Sequence, residues 1–214
     1  TLSGSSAFNI LTLDSGLVGY WKFDEGTGTV AKDSSRFGND GTLTNGPSWT
    51  ATVPSLNYAN PYSLDFDGAA GYVSAQGFDN WVEQTISVWV KYDGLGADPY
   101  PRVVEKGLNT EWTLTFNTHR NSGNILTVQY GDANPNLFST TNFNDGTWHH
   151  ALVTIDIGEW VTLYVDGEVE DTYYGATLTP SKTGILNIGG NSATTLTTFN
   201  GSIDDVRIYS RALA

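Results

Sequence analysis

Val161-Thr-Leu-Tyr-Val-Asp-Gly-Glu-Val169 decides how this chain folds. Two runs of β-branched, aliphatic and aromatic residues flank Asp166-Gly167, a dipeptide that accepts positive φ and so closes a tight hairpin. The same punctuation recurs at Asp40-Gly41, Asn45-Gly46, Asp67-Gly68, Asp93-Gly94, Asp145-Gly146 and Asn200-Gly201, with short segments rich in Val, Ile, Thr, Tyr, Phe and Trp between the turns. In Thr85-Ile-Ser-Val-Trp-Val90 the residues Ile86, Val88 and Val90 share one face, and in Trp112-Thr-Leu-Thr-Phe116 so do Trp112, Leu114 and Phe116. Further strands are expected at 125–130, 149–156, 160–165, 184–188 and 203–209. Apolar residues nowhere recur at helical spacing over more than a turn or two. The expected fold is all-β, an antiparallel meander or Greek key.

The 214 residues suffice for one large β domain, since sandwiches run to ~200–250 residues as single units. We place that domain at 16–214, with 1–15 as an N-terminal linker or edge strand. Segments 16–24 and 202–211 have the composition to pair and bring the termini together. Twenty-three acidic against ten basic residues give a net charge of -13. With few Lys and Arg to cluster, nucleic acid and anionic membrane surfaces are excluded as partners. Sixteen of the acids are Asp and seven are Glu, which places the negative charge in turns and loops rather than on helices. Without cysteine there is no disulfide framework, thiolate metal site or cysteine nucleophile. No apolar run reaches the ~18 residues of a membrane span, and Thr1–Ala7 does not read as a signal segment. The start at Thr1 rather than Met suggests a piece of a longer protein.

Seven blocks in order carry a family resemblance. They are Gly16-Leu-Val-Gly-Tyr-Trp-Lys-Phe-Asp-Glu25, Asp33-Ser-Ser-Arg-Phe-Gly-Asn-Asp-Gly-Thr-Leu43, Leu64-Asp-Phe-Asp-Gly68 with Tyr72-Val73, Thr85-Ile-Ser-Val-Trp-Val-Lys91, Gly146-Thr-Trp-His-His150, Leu163-Tyr-Val-Asp-Gly167 and Gly201-Ser-Ile-Asp-Asp-Val-Arg-Ile-Tyr-Ser-Arg-Ala-Leu213. Together they resemble the laminin G-like jelly roll of the concanavalin A-like lectin and glucanase superfamily. The resemblance implies a two-sheet sandwich, a module of secreted or cell-surface proteins in which carbohydrate binding and a calcium ion are common. On the same ground Trp21, Trp89, Trp148 and Tyr164 are expected in the core.

A hard cation takes carboxylates and turn carbonyls as ligands. Asp24 ends the first expected strand, Asn39-Asp-Gly41 forms a turn soon after it, and Asp204-Asp205 lies in the last strand. In related jelly rolls the Asp of that strand takes a structural calcium, which implies a site at Asp24, Asn39, Gly41 and Asp204. The bland alternative is a set of solvated turn carboxylates.

Aromatic residues outside the family blocks are candidates for sugar stacking, because pyranose C–H faces pack on rings while polar side chains take the hydroxyls. They are Trp81, Tyr100 beside Arg102, Trp112, Tyr130, Trp160 and Tyr173-Tyr174. Alternation assigns Trp112 and Tyr130 to the core and leaves Tyr100, Arg102, Trp160 and Tyr173 as exposed carbohydrate-binding candidates. The loop 93–101 is positioned to frame a binding edge.

Catalysis finds no support in the motifs. Retaining glucanases of the superfamily place two carboxylates ~5–5.5 Å apart through a Glu-x-Asp-x-x-Glu or Glu-x-Asp-x-Glu strand, and none occurs. Glu168-Val-Glu-Asp171 reads as a solvated hairpin edge. His149 and His150 point to opposite faces of one strand and cannot hold one ion together. The expected function is a non-catalytic extracellular carbohydrate-binding module with structural calcium, facing polysaccharide or cell-surface glycan and attached to other domains of a parent protein. The alternatives are a structural or adhesive module without sugar binding and, less favoured, a glycosidase with unrecognised carboxylates.

Overall fold

A computed structural model describes residues 15–78, 83–94, 100–107, 111–116, 124–130, 135–177, 184–190 and 198–213. Among the described residues there are sixteen strands and no helix. In chain order they are β1 (Leu17–Trp21), β2 (Val30–Ala31), β3 (Gly41–Thr44), β4 (Ser48–Thr50), β5 (Ser63–Asp67), β6 (Tyr72–Ala75), β7 (Gln84–Tyr92), β8 (Arg102–Lys106), β9 (Trp112–Phe116), β10 (Leu126–Tyr130), β11 (Leu137–Phe138), β12 (His149–Ile155), β13 (Trp160–Val165), β14 (Glu168–Tyr174), β15 (Leu186–Ile188) and β16 (Asn200–Tyr209). Most of the expected segment 1–15 lies outside the described residues.

The strands form two antiparallel sheets of a jelly-roll sandwich. One runs β14-β13-β12-β7-β16-β5-β4, with β1 also on β16, and the other runs β11-β10-β9-β8-β15-β6-β3-β2. The decisive hairpin forms as expected. Asp166 and Gly167 take φ of 51° and 88°, and β13 pairs with β14 across them. The first and last strands pair as expected too, β1 with the C-terminal half of β16.

Alternation puts Ile86, Val88 and Val90 of β7 and Ala151, Val153 and Ile155 of β12 inside, where they join Leu114, Phe116, Leu126, Val128, Leu186 and Ile188 of the second sheet in one core. Tyr92 of the first sheet stacks on Phe116 of the second with ring centroids 4.0 Å apart. Each such side chain contributes roughly 1.5–3 kcal/mol by leaving water. Trp21, Trp112 and Tyr130 are buried as expected. Trp89 and Tyr164 are not core residues. They alternate with Val88 and Val90, and with Leu163 and Val165, and so face outward and are half-buried, Trp89 against the His150 ring.

The irregularity that matters for function lies in β16. Its first half, Asn200–Ile203, pairs with β5, and its second half, Val206–Tyr209, pairs with β1, while β7 runs along the other edge. Between the halves the register slips at Asp204/Arg207 and Asp205 takes a φ of 50°. This bulge re-aims two adjacent carboxylates where β5 and β1 diverge.

Candidate functional site

Asp204 and Asp205 are buried at the bulge. Asn60 Nδ2 donates to Asp204 Oδ2 at 2.7 Å, and the Asp205 amide donates to Asp204 Oδ1 at 2.9 Å. Tyr58 donates its hydroxyl to Asp205 Oδ2 at 2.6 Å, and the Arg207 guanidinium pairs with the same oxygen at 2.8 Å. Asp205 therefore has a counter-charge in direct contact. Asp204 has only amide donors, and burial, with the Asp205 and Asp24 charges adding to it, pushes its carboxyl up to about 7. Asp24 belongs to the same group. Burial raises its carboxyl, Asp205 adds to the rise, and its Oδ1 is buried with no hydrogen-bond partner.

Of the four expected calcium ligands, the structure brings Asp24 and Asp204 together and uses Asn39 and Gly41 elsewhere. Asn39 Nδ2 donates to the Val18 carbonyl at 2.9 Å, and the Asn39 carbonyl accepts the Trp21 indole N–H at 3.2 Å. Gly41 is a buried residue of β3, paired with Ala31, where a Cβ would lie 2.5 Å from Val73. No group of three or more His, Asp or Glu side chains is placed to hold a metal among the described residues. A cation at Asp24 and Asp204 would need backbone carbonyls or the Asn60 amide oxygen to complete its shell. The donor chemistry fits, since Asp24 offers an unpartnered oxygen and its charge opposes the ionisation of Asp204.

The carbohydrate candidates separate in the same way. Trp160 opens β13 and is 49% exposed, and its register partner Tyr174, which ends β14, is 60% exposed. Their rings meet edge to face with centroids 5.1 Å apart. Tyr173 is half-buried against the core, 6.4 Å from the Tyr130 ring, so it supports this edge from beneath. Tyr100 is 36% exposed on the loop before β8. Arg102 is not an exposed sugar ligand. It is buried, ion-paired with Glu105, and its Nη1 also donates to Thr113 Oγ1 at 3.3 Å. Trp81 and residues 95–99 of the proposed binding loop lie outside the described residues.

His149 and His150 do face opposite ways. His149 Nδ1 sits 2.7 Å from Asp166 Oδ2, while His150 Nε2 sits 2.8 Å from Ser87 Oγ on the outer face. Glu170 and Asp171 are structural rather than merely solvated, because they accept the Thr140 and Phe138 amides, each at 2.9 Å.

Sequence reasoning missed Tyr58, Asn60 and the role of Tyr174. Tyr58 and Asn60 lie about 145 positions from their partners, and nothing local signals the contact. Tyr174 was within reach, since counting outward from the Asp166-Gly167 turn sets it opposite Trp160.

A laminin G family model, described as the concanavalin A-like lectin/glucanases superfamily, matches residues 67–214. No curated protein matches by sequence. Among solved structures, the binding domain of Paraclostridial mosquitocidal protein 1 is similar at a TM-score of 0.71 and 15% identity, over 94% of this chain and 50% of that one. The binding domain of botulinum neurotoxin DC is similar in its complex with rat synaptotagmin II, at 0.70 and 13%, and in its complex with SialylT, at 0.68 and 14%. Both comparisons cover 95% of this chain and 50% of the other. The chain thus spans about half the length of these binding domains, and at such identity the likeness shows the fold.

Proposed function

Because the chain belongs to the concanavalin A-like lectin/glucanases superfamily, we propose that it is a non-catalytic, extracellular carbohydrate-binding module with a structural calcium ion. The observation that carries this reading is the Trp160–Tyr174 pair, two adjacent exposed rings fixed on paired strands. Apolar rings of that size left in water at a sheet edge mark a contact surface, and a pyranose ring matches their faces. Preorganisation favours it further, because strand residues lose little freedom when a ligand binds. Support for binding rather than catalysis comes from the similar structures, which are binding domains of toxins, one of them solved with SialylT and another with a protein.

Asp24 and Asp204 would hold the calcium ion. Its chemistry there is electrostatic, neutralising carboxylates that otherwise repel each other beneath the join of β1, β5 and β16. The supporting observations are the unpartnered Asp24 Oδ1 and the buried, uncompensated Asp204.

A glycan array with the calcium-loaded protein tests the function. Binding to a defined set of glycans is expected, and its loss in Trp160→Ala/Tyr174→Ala places the site. A clean array together with capture of a protein receptor would replace this reading with the adhesive one. For the metal, EDTA is expected to lower Tm by several degrees and added calcium to restore it, with Asp24→Asn insensitive to both. An unchanged transition ends the calcium proposal.

A further inference from the structure

A cavity of about 760 Å³ opens beside the N-terminal strand, walled by β1, the turn after β2 and the end of β16. Its lining includes Lys22, Arg36 and Arg207 together with Tyr20, Tyr209 and Ser34. Three of the ten basic residues of the chain thus meet at one hollow, and no acidic residue among the described residues lines it. On a protein of charge -13 this inversion is local and specific. With Arg207 paired to Asp205, the excess positive charge of the recess comes from Lys22 and Arg36.

The three cations are held differently. Arg207 is positioned by structure: its Nη2 donates to Tyr20 Oη at 2.9 Å, to Tyr58 Oη at 3.2 Å and to Asp205. All its hydrogen bonds among the described residues leave from Nη2, so an N–H of Nη1 or of Nε is left for a single further hydrogen bond. The Tyr20 ring lies 4.4 Å from the guanidinium carbon and keeps it fixed. Lys22 and Arg36 are exposed and form no ion pair with a described residue, although Lys22 is near enough to Asp24 to be felt by its carboxylate. Of the two acidic residues between β2 and β3, Asp40 pairs with Lys32 at 2.6 Å and Asp33 is consumed as a cap. It accepts the Tyr20, Ser35 and Asn39 amides at 2.7–2.8 Å and the Ser35 hydroxyl at 2.7 Å.

We propose that this cavity binds a carboxylate-bearing sugar, its anion held by Arg207, Lys22 and Arg36 and its ring set against Tyr20. The volume suits one or two sugar rings. Polyanions such as nucleic acid or an anionic bilayer are repelled by the net charge, whereas a single acidic sugar enters the recess. Free serine hydroxyl and aromatic surface in the lining select a sugar over a bare inorganic anion. This proposal rests on the reading of the chain as a glycan-binding module, but it names a site separate from Trp160 and Tyr174.

The test is isothermal titration of the calcium-loaded protein with N-acetylneuraminic acid, glucuronic acid, glucose and inorganic phosphate, each at low and at physiological salt. One of the two acidic sugars is expected to bind, with affinity falling as salt rises, and glucose is expected not to. Lys22→Gln/Arg36→Gln, which alters only exposed side chains, should weaken that binding at least about tenfold. Trp160→Ala/Tyr174→Ala should leave it unchanged. Unaltered binding in the Lys22/Arg36 variant, glucose binding that the same variant weakens equally, or phosphate binding as tightly as the sugar would overturn the proposal, the last as an adventitious ion only. A protein that takes neutral glycans through Trp160 but ignores both acidic sugars refutes this cavity alone. One that takes acidic sugars here and nothing at Trp160 refutes the aromatic site alone.

Discussion

Asp204 allows a sharp test of the bulge electrostatics, through Asp204→Asn in metal-free protein. In the fold, burial, first among the causes, pushes its carboxyl up to about 7, against 3.8 for an ordinary Asp. A folded-state value raised above the unfolded one means that the native state binds this proton more tightly. The stabilisation is therefore complete below about pH 4 and is lost progressively as pH rises to about 7. Three pH units correspond to about 4 kcal/mol at 1.36 kcal/mol each, and relaxation around Asp24 and Asp205 reduces the expected loss to ~2–4 kcal/mol. Asp24 titrates in the same direction, and His150, whose ring burial holds below its ordinary value, titrates in the opposite one. The informative quantity is thus the difference between wild type and Asp204→Asn. Urea unfolding in EDTA at half-unit steps from pH 4.5 to 8 supplies it. Wild type should lose stability relative to the variant across that range, by a few kcal/mol in total. A flat difference, or one that grows in favour of wild type with rising pH, would refute the account of Asp204 as a buried and uncompensated acid.

Two further outcomes test the packing. Gly189→Ala should destabilise by more than about 3 kcal/mol or abolish soluble expression, because Gly189 has a φ of 77° and a Cβ there would lie 2.0 Å from the Phe66 ring; a loss below 1 kcal/mol on urea unfolding would show that the sheets separate more easily than described. Lys106→Met should cost ~3–5 kcal/mol by leaving the buried Glu111 carboxylate without the ammonium now 2.6 Å away, and Lys106→Met/Glu111→Leu should recover most of that; equal stability of the two variants would refute the pairing.

What was legible in the chain was local. The Asp166-Gly167 turn was readable because two residues with positive φ determine the hairpin by themselves, whereas Asn45-Gly46, with the same φ signs, carries the chain from one sheet to the other. Outward orientation of Trp89 was also readable, since it alternates with Val88 and Val90, but the family expectation of a core tryptophan overrode that alternation. Burial of Arg102 was not readable. β8 is covered on both faces, and the Glu105 carboxylate that pairs with Arg102 also accepts an amide from Asn187, 82 positions away. The calcium candidates show the same division. Asp204 lies on β16 and Asp24 follows β1, two strands whose pairing the composition suggested, whereas Tyr58 and Asn60 reach the bulge from a segment between strands with no periodicity to place it. Asn39 followed its turn as expected, yet its carbonyl went to the Trp21 indole, a contact that depends on which way a buried ring lies.

The central claim is that this jelly roll binds glycan through the Trp160–Tyr174 edge. Its most direct test is isothermal titration of the strongest array glycan into wild type and Trp160→Ala/Tyr174→Ala, with the fold of each checked by circular dichroism. The account predicts a saturable wild-type isotherm and at least a tenfold weaker Kd in the variant, the equivalent of about 1.4 kcal/mol or more. Equal affinity in two equally folded proteins would contradict it.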